Sequence, residues 1–202
     1  MSATLRVLLD VNVWVANLIA HERGRRGTAV QRIIAMVAGG RWGEEGPPVQ
    51  LVISHEMLET LETVLSRRGA AAESLGAYTD AISGIMRFGP EELDPYLLLG
   101  GREQFAMPDV EDAGVLATAF ASKAGLLVTD NQKDFQAGCS ARADTRTVAT
   151  GSGSRQLSAM RHRRGDIDLV VAHPLDVVIW LEQRQDPTPA ALWDRLSRPP
   201  PR

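Results

Sequence analysis

The sequence predicts an α/β fold built on a central, mostly parallel sheet, and three observations carry that expectation. Short apolar, β-prone runs recur at residues 5–9, 51–53, 126–128 and 168–172. Between them lie segments whose apolar residues repeat at helical spacing, so that one face of each would be buried. The first and third runs end on Asp10 and on Thr129-Asp130. Polar residues at those points suit an open parallel sheet, which places its ligands beyond the carboxyl ends of its strands.

Each element follows from local chemistry. Leu5-Arg-Val-Leu-Leu9 has the length and composition of a buried strand, and a helical pattern follows from about Val13 to Ala20. Thr28 is placed to cap a helix running through Val37, which Gly39-Gly40 ends. Leu51-Val52-Ile53 reads as a second strand, and Ser54 as the N-cap of a helix with Met57, Leu58, Leu61 and Leu65 on its inner face, up to Gly69. Residues 70–88 continue as helix to a break before Pro90, and residues 91–99 add a short element. Val115, Leu116, Ala119 and Phe120 mark the inner face of a helix starting near Asp109, closed by Gly125 before the strand 126–128.

Residues 136–166 are rich in Gly, Ser, Arg and Ala with weak periodicity, and read as a flexible or functional insertion longer than most ordered loops. Asp168–Ala172 is then the last strand, His173-Pro174 a turn and Leu175–Leu181 the start of a helix, while residues 198–202 read as a disordered tail. The expected organisation is a single domain over 1–185 with a basic insertion at 136–166, followed by a C-terminal helix and Pro-rich tail over 186–202.

Composition agrees with one globular domain: 202 residues, 44% hydrophobic and 23% charged. The single cysteine, Cys139, leaves no internal disulfide and no zinc cluster, which suits a reducing compartment and a cytoplasmic location. The chain opens without a basic leader, and no apolar run approaches the roughly 18 residues of a membrane span. Secretion and membrane insertion are therefore not expected. A net charge of −3 does not favour broad nucleic-acid binding, although arginines cluster locally at Arg23, Arg25 and Arg26 and at Arg142, Arg146, Arg155, Arg161, Arg163 and Arg164. Such clusters read as solvated loops unless an active site lies beside them.

The chemistry sits in the acids. Asp10, the group Asp109, Glu111 and Asp112, and the pair Asp130 and Asp134 all fall where the backbone leaves a strand or enters a helix. One carboxylate in such a place is usually a cap or a turn residue. Three such groups in a parallel sheet can converge on one edge, and like charges that close are tolerated mainly where a cation neutralises them. Oxygen ligands without paired Cys or His favour magnesium or manganese over zinc.

These residues also resemble a known family. Asp10-Val-Asn12-Val-Trp14 after an apolar strand resembles the opening motif of PIN domains. Pro108-Asp-Val-Glu-Asp112 followed by Val115–Ala119 resembles their second acidic motif at a helix start, and Val128-Thr-Asp-Asn-Gln-Lys-Asp-Phe135 is similar to their third. Ser54 to Leu65 resembles a helix of the VapC-like, toxin-component subgroup. The fold implied is a PIN-like three-layer α/β/α arrangement. The activity implied is hydrolysis of RNA phosphodiester bonds with Mg2+ or Mn2+, as the toxin of a toxin–antitoxin pair.

The resemblance implies roles for particular residues. Asp10, Asp112, Asp130 and Asp134 are candidate catalytic groups, and Asp10, Asp112, Asp109 and Asp130 candidate metal ligands. Asn12, Thr129, Asn131 and Glu56 are candidate supporting residues, and Arg23, Arg25, Arg26, Arg161, Arg163 and Arg164 candidate substrate contacts. The family's glutamate in the Ser54 helix falls on Thr60 here, and Glu56, one turn earlier on about the same face, is the nearest replacement. Whether Asp130, Asn131 or Asp134 reaches the metal stays open in the sequence. Partners implied are RNA, an antitoxin protein and a second copy of the chain. His55 and His173 read as surface or turn residues, and Trp14 as core.

Two other readings fit parts of the pattern. A haloacid-dehalogenase-like phosphatase would also use Asp10 and an Asp130–Asp134 pair, but needs an acid where Asn12 stands. A PIN-like scaffold that binds RNA or protein without cutting would explain Thr60.

Overall fold

The computed structural model describes residues 3–97, 110–136, 141–150 and 153–197. The chain begins with strand β1 (Leu5–Leu9) and helices α1 (Val11–Glu22) and α2 (Ala29–Ala38). Strand β2 (Val49–Val52) follows, then helices α3 (His55–Arg67), α4 (Ala72–Arg87) and α5 (Val110–Ala121), and strand β3 (Leu126–Val128). Strands β4 (Ala141–Arg142), β5 (Arg146–Thr150), β6 (Gly153–Leu157), β7 (Met160–Arg164) and β8 (Ile167–Ala172) come next, then helices α6 (Pro174–Glu182) and α7 (Pro189–Ser197). Single 3-10 turns occupy Pro95–Leu97 and Gln132–Gln136.

Six strands form one mixed sheet in the order β2-β1-β3-β8-β7-β4, parallel from β2 to β8 and antiparallel at β7 and β4. The α/β class and the mostly parallel sheet are as the alternating pattern predicted. β1 lies between β2 and β3, so the chain leaves it on one side and later returns on the other. That is a topological switch point, where the strand ends open a crevice. Leu9 pairs with Val128 and Val128 with Ala172, so the three parallel strands stop level. The residues just beyond them, Asp10, Thr129 and His173, are thereby brought to one edge. Backbone bonds fasten that edge: Asp10 N–H donates to Val128 O at 3.0 Å and Thr129 N–H to Ala172 O at 3.0 Å.

β1, β2 and β3 are buried almost throughout, which explains why they read as continuous apolar runs rather than alternating ones. Leu8, Leu9, Ile53, Leu116, Val128 and Val170 are all core residues, each such side chain contributing about 1.5–3 kcal/mol through burial. Trp14 is core as well, edge-on to Tyr78 with ring centroids 6.4 Å apart. The predicted caps form. Thr28 and Gln31 make a reciprocal capping box at α2, and Ser54 Oγ accepts from Met57 N–H at 3.4 Å at α3.

The structure differs from expectation within 136–166. Its described residues hold four strands: β7 and β4 extend the main sheet, and β5 and β6 pair as a separate two-stranded ribbon. The ribbon's side chains are largely exposed or half-buried, so no apolar alternation marks them as strands. Helix α7 packs Leu192, Trp193 and Leu196 into the core, so the chain after 186 is structured at least as far as Ser197. No helix among the described residues is long and apolar enough to cross a membrane.

Candidate active site

Asp10 is the centre of the strand-end edge. Its extended backbone, φ −61° and ψ 153°, ends β1 and starts α1 without an intervening loop, leaving its carboxylate buried between the two strand ends. Asn12 Nδ2 donates to Asp10 Oδ2 at 2.6 Å and Thr129 Oγ1 donates to the same oxygen at 2.7 Å. Asn12 Nδ2 also lies 2.9 Å from Thr129 Oγ1, and Asn131 N–H donates to that hydroxyl oxygen at 3.0 Å. Burial pushes the Asp10 carboxyl above its usual range; the Thr129 hydrogen bond opposes this, and the nearby Asp134 charge adds to it.

A cleft of about 480 Å³ opens in front of Asp10, between α1, α3, α5 and the turn after β3. Asp10, Glu56, Glu111, Asp112 and Asp134 line it, together with Asn12, Thr60 and Asn131. Glu111 and Asp112 enter from the first turn of α5, where the helix dipole favours negative charge. The helical reading of α3 is matched in space: Glu56 and Thr60 face the cleft, whereas Glu59 pairs with His55 at 3.3 Å and Glu62 accepts from Thr79 at 2.8 Å. The turn after β3 divides its acids. Asn131 and Asp134 face the cleft and are hydrogen-bonded to each other.

Asp130, expected beside the metal, does not line the cleft; its carboxylate turns toward β8 and the ribbon. His173 Nε2 lies 2.7 Å from its Oδ1 and Arg155 Nη1 2.9 Å from the same atom. These interactions hold the Asp130 carboxyl down at about 2, the His173 hydrogen bond being the main cause. His173 is buried rather than superficial, and caps α6: its Nδ1 accepts from Leu175 N–H at 3.0 Å. With Nδ1 an acceptor, the ring proton resides on Nε2, which donates to Asp130. Sequence reasoning passed over His173, yet its position one residue beyond β8 was a usable signal, since Asp10 and Thr129 stand at the same place after β1 and β3.

The arginines also divide. Arg161 is committed to Asp168, with Nε donating to Oδ1 at 2.7 Å, and its guanidinium lies 6.0 Å from the Trp193 ring centre. Arg161, expected as a substrate contact, does not line the cleft. Arg163 and Arg164 are exposed at the end of β7 and do not line the cleft. Arg23, Arg25 and Arg26 are exposed just beyond α1, whose Ile19 does line it. Arg146 reaches the fully buried Asp176 at 2.8 Å. A larger hollow of about 1100 Å³, between α2, residues 39–47 and residues 181–187, contains none of the candidate acids, and its Arg32 and Glu182 pair at 2.6 Å.

The donor set suits a hard divalent cation, since the cleft offers carboxylate and amide oxygens. Two neutral donors on Asp10 Oδ2 favour the ionised carboxylate that burial penalises, and a cation would favour it further. Among the described residues, no group of three or more His, Cys, Asp or Glu side chains stands close enough to hold a metal ion. Asp109, the remaining candidate ligand, lies outside the described residues, as does Cys139.

No curated protein and no solved structure matches the chain. The PIN domain family model, however, matches residues 6–133, a span that begins in β1, ends in the turn after β3 and contains all but one of the described acids of the cleft, Asp134 falling one residue beyond it. That match covers more than half of the chain, and it coincides with the half of the sheet that builds the crevice. The chain therefore belongs to the PIN domain family, whose members are typically metal-dependent nucleases.

Proposed function

We propose that this PIN domain is a Mg2+- or Mn2+-dependent endoribonuclease that hydrolyses RNA phosphodiester bonds. The observation that supports it best is that Asp10, Asp112 and Asp134, far apart in sequence, line one cleft with Asn131 and Glu56. In this reading Asp10 and Asp112 hold the metal, with Asp134, Asn131 or Asp109 completing the site. The ion, when bound, stabilises charge growing on the phosphate and acidifies a water molecule. The chain's own residues do the positioning. Asn12 and Thr129 fix the Asp10 carboxylate by hydrogen bonds to one oxygen, and Asp10 is buried at the strand ends. Glu56 takes the place of the glutamate absent at Thr60, and Arg23, Arg25 and Arg26 stand where they can meet the RNA backbone.

The experiment is cleavage of labelled single-stranded RNA by the purified chain in Mg2+, in Mn2+ and after chelation. Metal-dependent cleavage that disappears in Asp10→Asn and Asp112→Asn supports the assignment; cleavage retained in both variants overturns it. A second reading has its own observation, Thr60 in place of a carboxylate on the cleft. A non-cutting module would bind RNA or protein and leave the labelled RNA intact under every metal condition. Haloacid-dehalogenase-like chemistry finds no acid at Asn12, whose amide instead donates to Asp10.

The likeness of the Ser54–Leu65 helix to VapC-like proteins supports the narrower assignment as a toxin. Its antitoxin would cover the acidic cleft, where an arginine could pair with the carboxylates. Growth arrest on expression, relieved by Asp10→Asn, tests that assignment.

A further inference from the structure

The side chains behind the cleft form one connected series. His173 Nε2 donates to Asp130 Oδ1 at 2.7 Å, and Arg155, from the ribbon, adds a second partner to that atom at 2.9 Å. Asp130 in turn presents its backbone N–H to Asn12 Oδ1 at 3.1 Å. An amide whose oxygen accepts that bond must point its nitrogen the other way, and Asn12 Nδ2 does so, 2.6 Å from Asp10 Oδ2. The orientation of Asn12, and through it the lone pairs that Asp10 offers the cleft, thus depends on how the Asp130 turn is held. We infer that His173 is a positioning residue of this site, acting through Asp130 and Asn12 on Asp10, with Arg155 as its auxiliary. The inference rests on the nuclease reading for its kinetic consequences but not for its geometry.

The chemistry of His173 explains why a histidine serves here. Nδ1 caps α6 and Nε2 reaches Asp130, so one ring joins the start of α6 to the end of β3. The nearby Asp176 contributes separately, its carboxylate accepting from His173 N–H at 3.3 Å within the same cap. Groups hydrogen-bonded to a ligating side chain typically alter metal affinity or activity by about 10- to 100-fold when removed, and His173, two links further back, should act at the lower end of that range.

The two ring functions can be separated. In His173→Asn the amide oxygen mimics Nδ1 and remains a strong N-cap, while the donor to Asp130 is lost. In His173→Gln the longer side chain carries an amide donor toward Asp130 and gives up the cap. The full chain and both variants are compared by thermal melting, Mn2+ affinity without RNA, kcat and KM on single-stranded RNA, and NMR of the Asn12 side-chain amide. Expected for His173→Asn is a melting temperature lowered no more than in Asp130→Asn, Mn2+ affinity and kcat lower by about tenfold with KM unchanged, and a shifted, faster-exchanging Asn12 amide. His173→Gln should restore the Asn12 signal and kcat despite a lower melting temperature.

An unperturbed Asn12 amide in His173→Asn overturns the inference, as does a KM increase with kcat unchanged. If the wild-type chain cleaves no RNA, the nuclease reading fails by itself. The Asn12 resonance and Mn2+ affinity then still decide the role of His173.

Discussion

Thr129 Oγ1 donates to Asp10 Oδ2 at 2.7 Å across 119 positions of sequence, and both residues stand one step beyond the ends of adjacent parallel strands. The bond ties the charge at the centre of the cleft to strand register. Replacing Thr129 with valine keeps the branched shape and deletes the hydroxyl. Thr129→Val should lower unfolding free energy by about 1–3 kcal/mol, as expected for a buried acceptor deprived of a donor. It should also weaken Mn2+ binding, because Asp10 then ionises less readily. Chemical denaturation and metal titration of the variant check the two effects separately.

Asp10 and Asp130 should show opposite dependence on pH. The folded-state pKa of Asp10 lies above its unfolded value, so its charge destabilises the fold above that pKa, and the penalty vanishes as pH falls toward 3.8. Asp10→Asn should therefore melt higher than wild type at neutral pH without metal, the difference shrinking on acidification. Asp130 has a depressed pKa, so its stabilisation is present above 3.8 and is lost as pH falls from 3.8 to about 2. Asp130→Asn should be less stable than wild type at neutral pH, converging with it in strong acid. Melting curves of both variants across the acid range decide the matter.

The pair of half-buried Arg146 and buried Asp176 fastens β5 to the start of α6. Removing only the cation strands a carboxylate that burial already pushes above its usual range, with Arg146 the leading counterweight. Arg146→Met should cost about 1–3 kcal/mol, and adding Asp176→Asn should recover most of that stability. A double variant as unstable as Arg146→Met would show that the effect comes from packing rather than charge.

Two groups of arginines should separate in salt. Arg161→Ser breaks the pair with Asp168 and should reduce stability by about 2 kcal/mol while leaving RNA affinity unchanged. Replacing Arg23, Arg25 and Arg26 together with serine should leave stability unchanged and weaken RNA binding. The log–log salt slope should become shallower by about 0.7 for each phosphate that no longer meets an arginine. Binding measured across a salt series in calcium, without turnover, reads both.

Much of this site is legible in sequence because parallel strands are buried on both sides and announce themselves as apolar runs. Asp10 could be placed from the end of β1 alone, and Glu56 from one turn of helix. What the sequence did not reveal has physical reasons. The period-two alternation that orients side chains lapses once a strand ends, so nothing in Thr129-Asp130-Asn131 says that Asp130 faces backward while Asn131 faces the cleft. The ribbon of β5 and β6 buries little, and polar strands carry no hydrophobic signature. The Arg161–Asp168 pair is not visible in sequence because Asp168 is recognisable as its partner only once β7 is known to run back along β8.

The level strand ends also set an order of assembly. Every described cleft acid has been synthesised by Asp134, but the Thr129 backbone is anchored to Ala172, and His173 follows immediately. A chain still emerging from the ribosome therefore carries its carboxylates before it has the strand that aligns them. The cleft acquires its final geometry only after β8 has cleared the exit tunnel and paired with β3.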